Sequence, residues 1–233
     1  MKKKMAAIFL VVAMLTTLLV QPAFAVFQPE LPSLYKTFKD YFLFGTFHGL
    51  NSYFGSGDGP RIMHHHYNSW APANEFKPDY LFDANGSAAA YNAAVNATYD
   101  SEEERQAAID KANRTVVIAS TTRQEEFLNN VRALNETRAP EDQVKVKAHT
   151  LLWHNMTPQQ FFRDGFSNSG DWASRDVMLD RIDSYIKGVF ERFAPYKDLI
   201  YAWDVANEVI DCFTGYVRNE GDYQLSNWGR IFK

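Results

Sequence analysis

Apolar residues recur along this chain in two rhythms. One is the three- and four-residue step of an amphipathic helix, and the other is a short run that ends in a polar cluster. The clearest helix follows Ser174, a predicted cap with Asp176 in the first turn, and carries Ile182, Tyr185, Ile186, Val189, Phe190 and Phe193 on one side. Glu125 to Asn135 forms a second, with Phe127, Leu128, Val131 and Leu134 together. The short runs predict strands at Tyr41–Phe47, Ile62–Asn68, Val144–Leu152 and Leu199–Val205. Residues 84–113 have little apolar weight, Ala-rich at first and then charged, and read as an insertion or a surface helix. The run Gly55-Ser56-Gly57-Asp58-Gly59-Pro60 reads as a flexible loop with no helix after it; no Lys-Ser/Thr follows to make it a phosphate cradle.

The candidate chemistry sits where two of the strands stop. Leu199–Val205 runs into Asn207-Glu208, placing a carboxylate at a strand's C-terminal end, where α/β barrels keep their catalytic groups. The bland reading is a strand stopping in a polar loop. The strand that begins at Val144 alternates to Thr150, turns apolar, and ends in Trp153-His154. By the period of two, His149, Leu151 and Trp153 share a face, and His154 points the other way unless a bulge intervenes. A metal site at His149 and His154 is the weaker reading, with no Cys or acidic ligand nearby. The same holds for His64-His65-His66, whose rings would alternate on a strand. An aromatic platform with polar neighbours suits a sugar ring, which offers apolar CH faces and a rim of hydroxyls.

Four segments then resemble, in order, a single family. Ala148-His149-Thr150-Leu151-Leu152-Trp153-His154, with Thr157-Pro158 and Phe161-Phe162, is similar to the third-strand signature of glycoside hydrolase family 10, the xylanases. Trp203-Asp204-Val205-Ala206-Asn207-Glu208 resembles the fourth-strand signature. His66-Tyr67-Asn68-Ser69-Trp70 with Asn74-Glu75-Phe76-Lys77-Pro78 resembles the second, and Lys39-Asp40-Tyr41-Phe42 with Phe44-Gly45 the first. The likeness runs from about Leu34 to Lys233. It implies an α/β fold, a (β/α)8 TIM barrel of which about the first four β/α units are present. It also implies a retaining endo-1,4-β-xylanase with Glu208 as acid/base. Asn207 would hold the sugar's 2-hydroxyl. His149, Trp153 and His154 would line the non-reducing side, and Asn74 and Lys77 would bind the next sugar outward. Retention needs a second carboxyl about 5–5.5 Å away. The family carries it near the end of its seventh strand, for which this chain has no match. Two positions depart from the family pattern: Ala73 stands where Glu is frequent, and Met156 where Gln is usual. Asp204, four residues before Glu208, reads as a structural hydrogen-bond acceptor beneath the site.

The remaining features adjust this picture. Lys2, Lys3 and Lys4, an apolar run from Met5 to Val20 and the small-x-small Ala23-Phe24-Ala25 predict a signal peptide over residues 1–25. Residues 26–233 then form the N-terminal part of the catalytic barrel, in a secreted protein, extracellular or periplasmic. A net charge of −4 without a basic cluster argues against nucleic-acid binding. Nothing in the mature part is apolar enough to span a bilayer. No cofactor or metal is expected; the expected partners are xylan and xylo-oligosaccharides, and the complete enzyme is expected to be a monomer. The single cysteine, Cys212, reads as a small buried or half-buried residue. Asn96, Asn113, Asn135 and Asn155 open N-x-Ser/Thr triplets, meaningful only in a eukaryotic secretory pathway. Two other classes fit part of the pattern: a non-catalytic xylan-binding relative, and another barrel glycosidase such as a cellulase, which would share Asn-Glu but lack Trp153-His154 and Asn74-Lys77.

Overall fold

The computed structural model describes residues 26–218 and 226–232, so the expected leader lies outside the described residues. Strands β1 (Gly45–His48), β2 (Ser69–Pro72), β3 (Lys145–Trp153) and β4 (Ile200–Asn207) form one parallel sheet in the order β1-β2-β3-β4. Parallel neighbours need crossovers, and helices supply them. They are α1 (Leu34–Thr37), α2 (Asp58–His66), α3 (Pro78–Leu81), α4 (Ala84–Asn96), α5 (Glu102–Arg114), α6 (Thr122–Glu136), α7 (Arg175–Phe193) and α8 (Asn227–Phe232). No helix among the described residues is long and apolar enough to cross a membrane.

The core lies between the sheet and its helices. Val146 and Ala148 of β3 are fully buried there, alternating with half-buried Lys147 and His149. On α7 the Ser174 hydroxyl accepts from the Val177 amide, as expected, and Val177, Met178, Tyr185, Val189 and Phe193 form the buried face. Arg181 is buried with them. It donates to the carbonyls of Asn113 (2.6 Å), Phe161 (2.8 Å) and Arg163 (2.8 Å), joining α5 and the loop after β3 to α7. Burial lowers its pKa to about 10, so it stays charged at neutral pH. Asn135 near the end of α6 pairs with both backbone groups of Val144, at 2.8 and 2.9 Å, and starts β3 in register. The Asn113 side chain is spent on the fold too, its Oδ1 accepting from Gly165 N (2.8 Å) and its amide donating to Asp164 Oδ1 (3.3 Å). The Tyr201 hydroxyl of β4 spans β3 to meet the Ser69 hydroxyl of β2 at 3.0 Å. Side chains of alternate strands meeting over the strand between them is how a barrel interior is filled.

Several expectations need correction. The second strand is Ser69–Pro72, and Ile62 to His66 belong to α2. Gly57 caps α2 and Asp58 stands in its first turn, where Pro60 is tolerated. The glycine-rich loop therefore leads straight into a helix. His64-His65-His66 lie on the last turn of α2, and their rings are engaged by backbone: His64 Nε2 with Tyr53 O (2.8 Å), His65 Nε2 with Leu31 O (2.8 Å), and His66 Nδ1 accepting from Leu34 N (3.4 Å). The first strand starts only at Gly45, because Phe38, Phe42 and Phe44 stack on one another with centroids 5.5–6.1 Å apart and leave Tyr41 to Leu43 outside the sheet. Residues 84–113 form two surface helices, capped by Asp83 and Ser101. Cys212 is exposed, on a turn whose neighbour Phe213 is 89% exposed.

Each outer strand has one neighbour among the described residues, and each shows apolar side chains: Phe47 on β1 (74% exposed) and Val205 on β4 (59% exposed). Such edges pair with other chains. The chain expressed as residues 26–233 is expected to self-associate increasingly with concentration, and Phe47→Lys with Val205→Lys to reduce this. Light scattering after size exclusion checks it; a monomer at every concentration contradicts it.

Candidate active site

The site is assembled at the C-terminal ends of β2, β3 and β4, its pocket lined from β3, β4 and the segments after β4. After β2, the buried Glu75 fixes the backbone: Oε1 accepts from Leu50 N (3.3 Å) and Oε2 from Asn74 N (3.2 Å). Gln124 of α6 donates to the Glu75 carbonyl at 2.7 Å. This frame points Lys77 Nζ at Asn74 Oδ1 (2.8 Å) and sets it 4.8 Å from the centre of the Trp153 ring. Burial pushes the Lys77 amine down from its ordinary pKa, against the opposing pull of Glu208 and Glu75.

The pairing of β3 with β4 slips between His149 and Leu152, and the His149–Thr150 peptide is cis. Before the slip, His149 Nδ1 meets Asp204 Oδ2 at 2.8 Å and Lys147 Nζ meets Asp204 Oδ1 at 3.0 Å. Partial burial raises the Asp204 carboxyl, but the bonds from His149 and Lys147 outweigh it, and the net pKa is below the usual carboxylate value. Asp204 has the acceptor role its position suggested. After the slip, Trp153 and His154 both face Glu208. The Trp153 indole N–H donates to Glu208 Oε2 at 2.9 Å, and His154 Nδ1 stands 3.8 Å from the same oxygen. Alternation puts His154 on the side opposite Trp153 unless a bulge intervenes; the slip falls earlier, before Leu152, and β3 ends at Trp153, so His154 is outside the alternating strand. At 3.8 Å the imidazole is beyond hydrogen-bond reach. Burial first, then the Arg218 charge, lower its pKa, so His154 is neutral at neutral pH and the contact is no ion pair.

Glu208 itself has φ +52°, a left-handed conformation rare for a residue with a side chain. Its carboxylate, half-exposed, opens on a pocket of about 200 Å³ lined by Trp153, His154, Asn207, Glu208, Arg218 and Trp228. Four of the sequence-marked residues therefore share one cavity. Lys77 joins through the Trp153 ring and Asn74 through Lys77. His149 does not line the cavity; it lies further back along β3 on Asp204. The sequence reading missed Arg218 and Trp228. Trp228 donates its indole N–H to the Trp153 carbonyl (2.8 Å) and packs edge-on against Phe162 (4.7 Å). Its one signal was the three-residue step to Ile231, both on the short α8. Met156, at a departure from the family pattern, has φ +48° and accepts from Asp79 N through its carbonyl (2.9 Å). No group of three or more His, Cys, Asp or Glu among the described residues is placed to hold a metal ion.

The family model of glycosyl hydrolase family 10 matches residues 33–232. The chain belongs to this family. Curated relatives include a bifunctional endo-1,4-β-xylanase of Ruminococcus flavefaciens, 29% identical over 86% of this chain and 18% of the relative. Endo-1,4-β-xylanase A of Caldicellulosiruptor saccharolyticus is 30% identical over 85% of this chain and 43% of the relative. Among solved structures, the N-terminal xylanase 10B modules of Clostridium thermocellum, complexed with xylohexaose, superpose with a TM-score of 0.63 at 25% identity, over 87% of this chain and 34% of that one. An intracellular xylanase of Thermoanaerobacterium saccharolyticum with xylotetraose gives 0.55 at 28% identity, over 88% and 49%. The family's barrel and the four-stranded parallel sheet agree: this is part of a (β/α) barrel. The chain spans less than half the length of each of these relatives.

The Asp204 cluster makes a stability prediction. A depressed folded-state pKa means the carboxylate stabilises the fold above its unfolded pKa of about 3.9, and that this is lost as pH falls through the folded value. Asp204→Asn should lower unfolding free energy by about 1–2 kcal/mol at neutral pH, discounted for partial exposure. The gap from the parent should close in acid. Urea unfolding across pH measures it; a gap that persists where Asp204 is protonated contradicts the electrostatic account.

Proposed function

We propose that this chain supplies the acid/base half of a retaining endo-1,4-β-xylanase, EC 3.2.1.8, acting on the β-1,4 bonds of xylan. The observation that carries the reading is Glu208 at the C-terminal end of β4, its carboxylate bonded to the Trp153 indole and open to the pocket. The names of the relatives and the xylo-oligosaccharides in the solved complexes support the substrate class.

In this reading Glu208 protonates the leaving oxygen and later takes a proton from water. The Trp153 N–H fixes one carboxylate oxygen and leaves the other for the substrate. The neutral His154 adds no charge of its own beside it. Asn207 meets the 2-hydroxyl of the sugar at the cleavage point, a contact that strengthens in the transition state. Trp153 offers its ring as a platform, and Lys77 with Asn74 holds hydroxyls of the next sugar outward. His149 acts through Asp204 from behind the pocket. The carboxylate that attacks the anomeric carbon lies outside this chain. Ala73 leaves a donor or acceptor unmatched at its subsite, since the neighbouring Glu75 is already committed to Leu50 and Asn74. Export by a leader over residues 1–25 places the enzyme outside the cytoplasm, on polymeric substrate, as a monomer.

Two outcomes follow. Residues 26–233 alone should release no xylo-oligosaccharide from xylan above a buffer blank, read by reducing-sugar assay; measurable release contradicts the placement of the nucleophile. In a full-length enzyme carrying this region, Glu208→Gln should nearly abolish turnover of xylan. It should slow single-turnover cleavage of an aryl xyloside with a good leaving group far less, because that bond needs little protonation. Equal losses on both would make Glu208 something other than the acid.

A further inference from the structure

The chain after β4 turns back on itself. Ile210 and Val217 bridge antiparallel, Arg218 N donates to Val209 O at 2.8 Å, and Asp211 N donates to Tyr216 O at 2.9 Å. The centre of this hairpin is charged. Asp211 Oδ1 accepts from Phe213 N (3.0 Å), Thr214 N (3.0 Å) and Thr214 Oγ1 (3.2 Å). Its other oxygen, Oδ2, pairs with Arg218 Nη1 at 2.9 Å, the two side chains only 7% and 12% exposed. The same guanidinium reaches the other way. Arg218 Nε donates to the Glu208 carbonyl at 3.1 Å. So one planar group bridges the hairpin's buried carboxylate and the backbone of the residue that carries the reactive carboxylate.

That backbone is the one in the left-handed region, at φ +52°. Such a conformation persists in a residue with a side chain only where its surroundings over-determine it. Here the carbonyl side is held by Arg218 and the carboxylate side by the Trp153 indole. We propose that Arg218, locked by Asp211, is a positioning residue that holds the Glu208 backbone so that its carboxylate meets Trp153 and the substrate. The inference rests on Glu208 being the acid/base. Lysine cannot replace arginine in this role, because a single ammonium cannot span both acceptors in the guanidinium's fixed fork.

The test uses a full-length enzyme carrying this region, with Arg218→Lys, Asp211→Asn and, as reference, Glu208→Gln. Each is measured on xylan and on an aryl xyloside with a good leaving group, with kcat and KM separated. Arg218→Lys should lower kcat on xylan by about 10²-fold, the scale of a 1 Å misplacement. KM should hardly change, and single-turnover cleavage of the aryl xyloside should fall far less. Asp211→Asn should do the same to a smaller degree. A loss equal on the two substrates overturns the proposal, and partial unfolding of a variant would show as that equal loss. Unchanged kcat on xylan overturns it too. If Glu208→Gln shows the leaving-group dependence and Arg218→Lys does not, the positioning role alone falls. If Glu208→Gln lacks it, the acid/base reading falls and takes this inference with it.

Discussion

The site depends on where the pairing of β3 with β4 slips. From Lys147 to His149, after a first slip at Val146, the strands run in step, and Asp204 gathers His149 and Lys147 on one face. Past the slip, Leu152 faces Ala206 and Trp153 faces Asn207. A regular strand would have turned Trp153 and His154 to opposite sides. β3 ends at Trp153, so alternation does not extend to His154, and both stand against one oxygen of Glu208. A one-residue change of register in a strand exchanges its faces, so the same residues in an unbroken ladder would not form this pocket. Asp204 stands at the last position before the break, and the Thr150 hydroxyl donates to its carbonyl at 2.9 Å. The side chain and the backbone of one residue thus hold both sides of the irregularity.

How much of this was readable from sequence follows from the length of each signal. β3 and β4 were legible because each is a long run ending in an unusual polar group, and α7 because its apolar step persists over five turns with a serine cap. β2 was misplaced by a few residues. Its four residues, Ser-Trp-Ala-Pro, are too few to display alternation and include a proline. The preceding α2 was hidden by a start rich in Gly and Pro and an end in three histidines, both atypical of helices. Hydrophobic pattern also cannot fix the last residue of a strand, so the convergence of Trp153 and His154 past the end of β3 was not legible. Arg218 carries no pattern, and Trp228 has only the single three-residue step to Ile231. They reach the pocket through a hairpin and a short helix after the last strand, where tertiary contact alone decides.

Charge in the pocket is arranged by what is already committed. Glu75 and Asp204 are both acidic and both near the strand ends, yet each has its oxygens spent on protein donors. Asp211 is spent in the same way on its own turn and on Arg218. Glu208 differs: one oxygen has the Trp153 indole, and the carboxylate is half-exposed to the open cavity. A carboxylate whose oxygens are satisfied by protein donors serves the fold, and one with an oxygen facing an open cavity is free to meet a ligand. By that criterion the geometry separates Glu208 from its acidic neighbours without reference to any relative.

The strand that carries Glu208 is also an outer strand of the described sheet, and this constrains the chemistry. On one side β4 is held firmly: by β3, by the Tyr201 bridge to Ser69, and by Trp203 packed between Phe76, Phe190 and Phe193. On the other, Val205 stays largely open. In the proposed retaining reading a second carboxylate across the scissile bond has room on the open side, since the closed side is filled. It must also hold about 5–5.5 Å to Glu208 within a few tenths of an ångström for retention. In the proposed reading the group that packs on Val205 steadies the strand that carries Glu208, so that apolar edge bears on the position of the acid as well as on the fold.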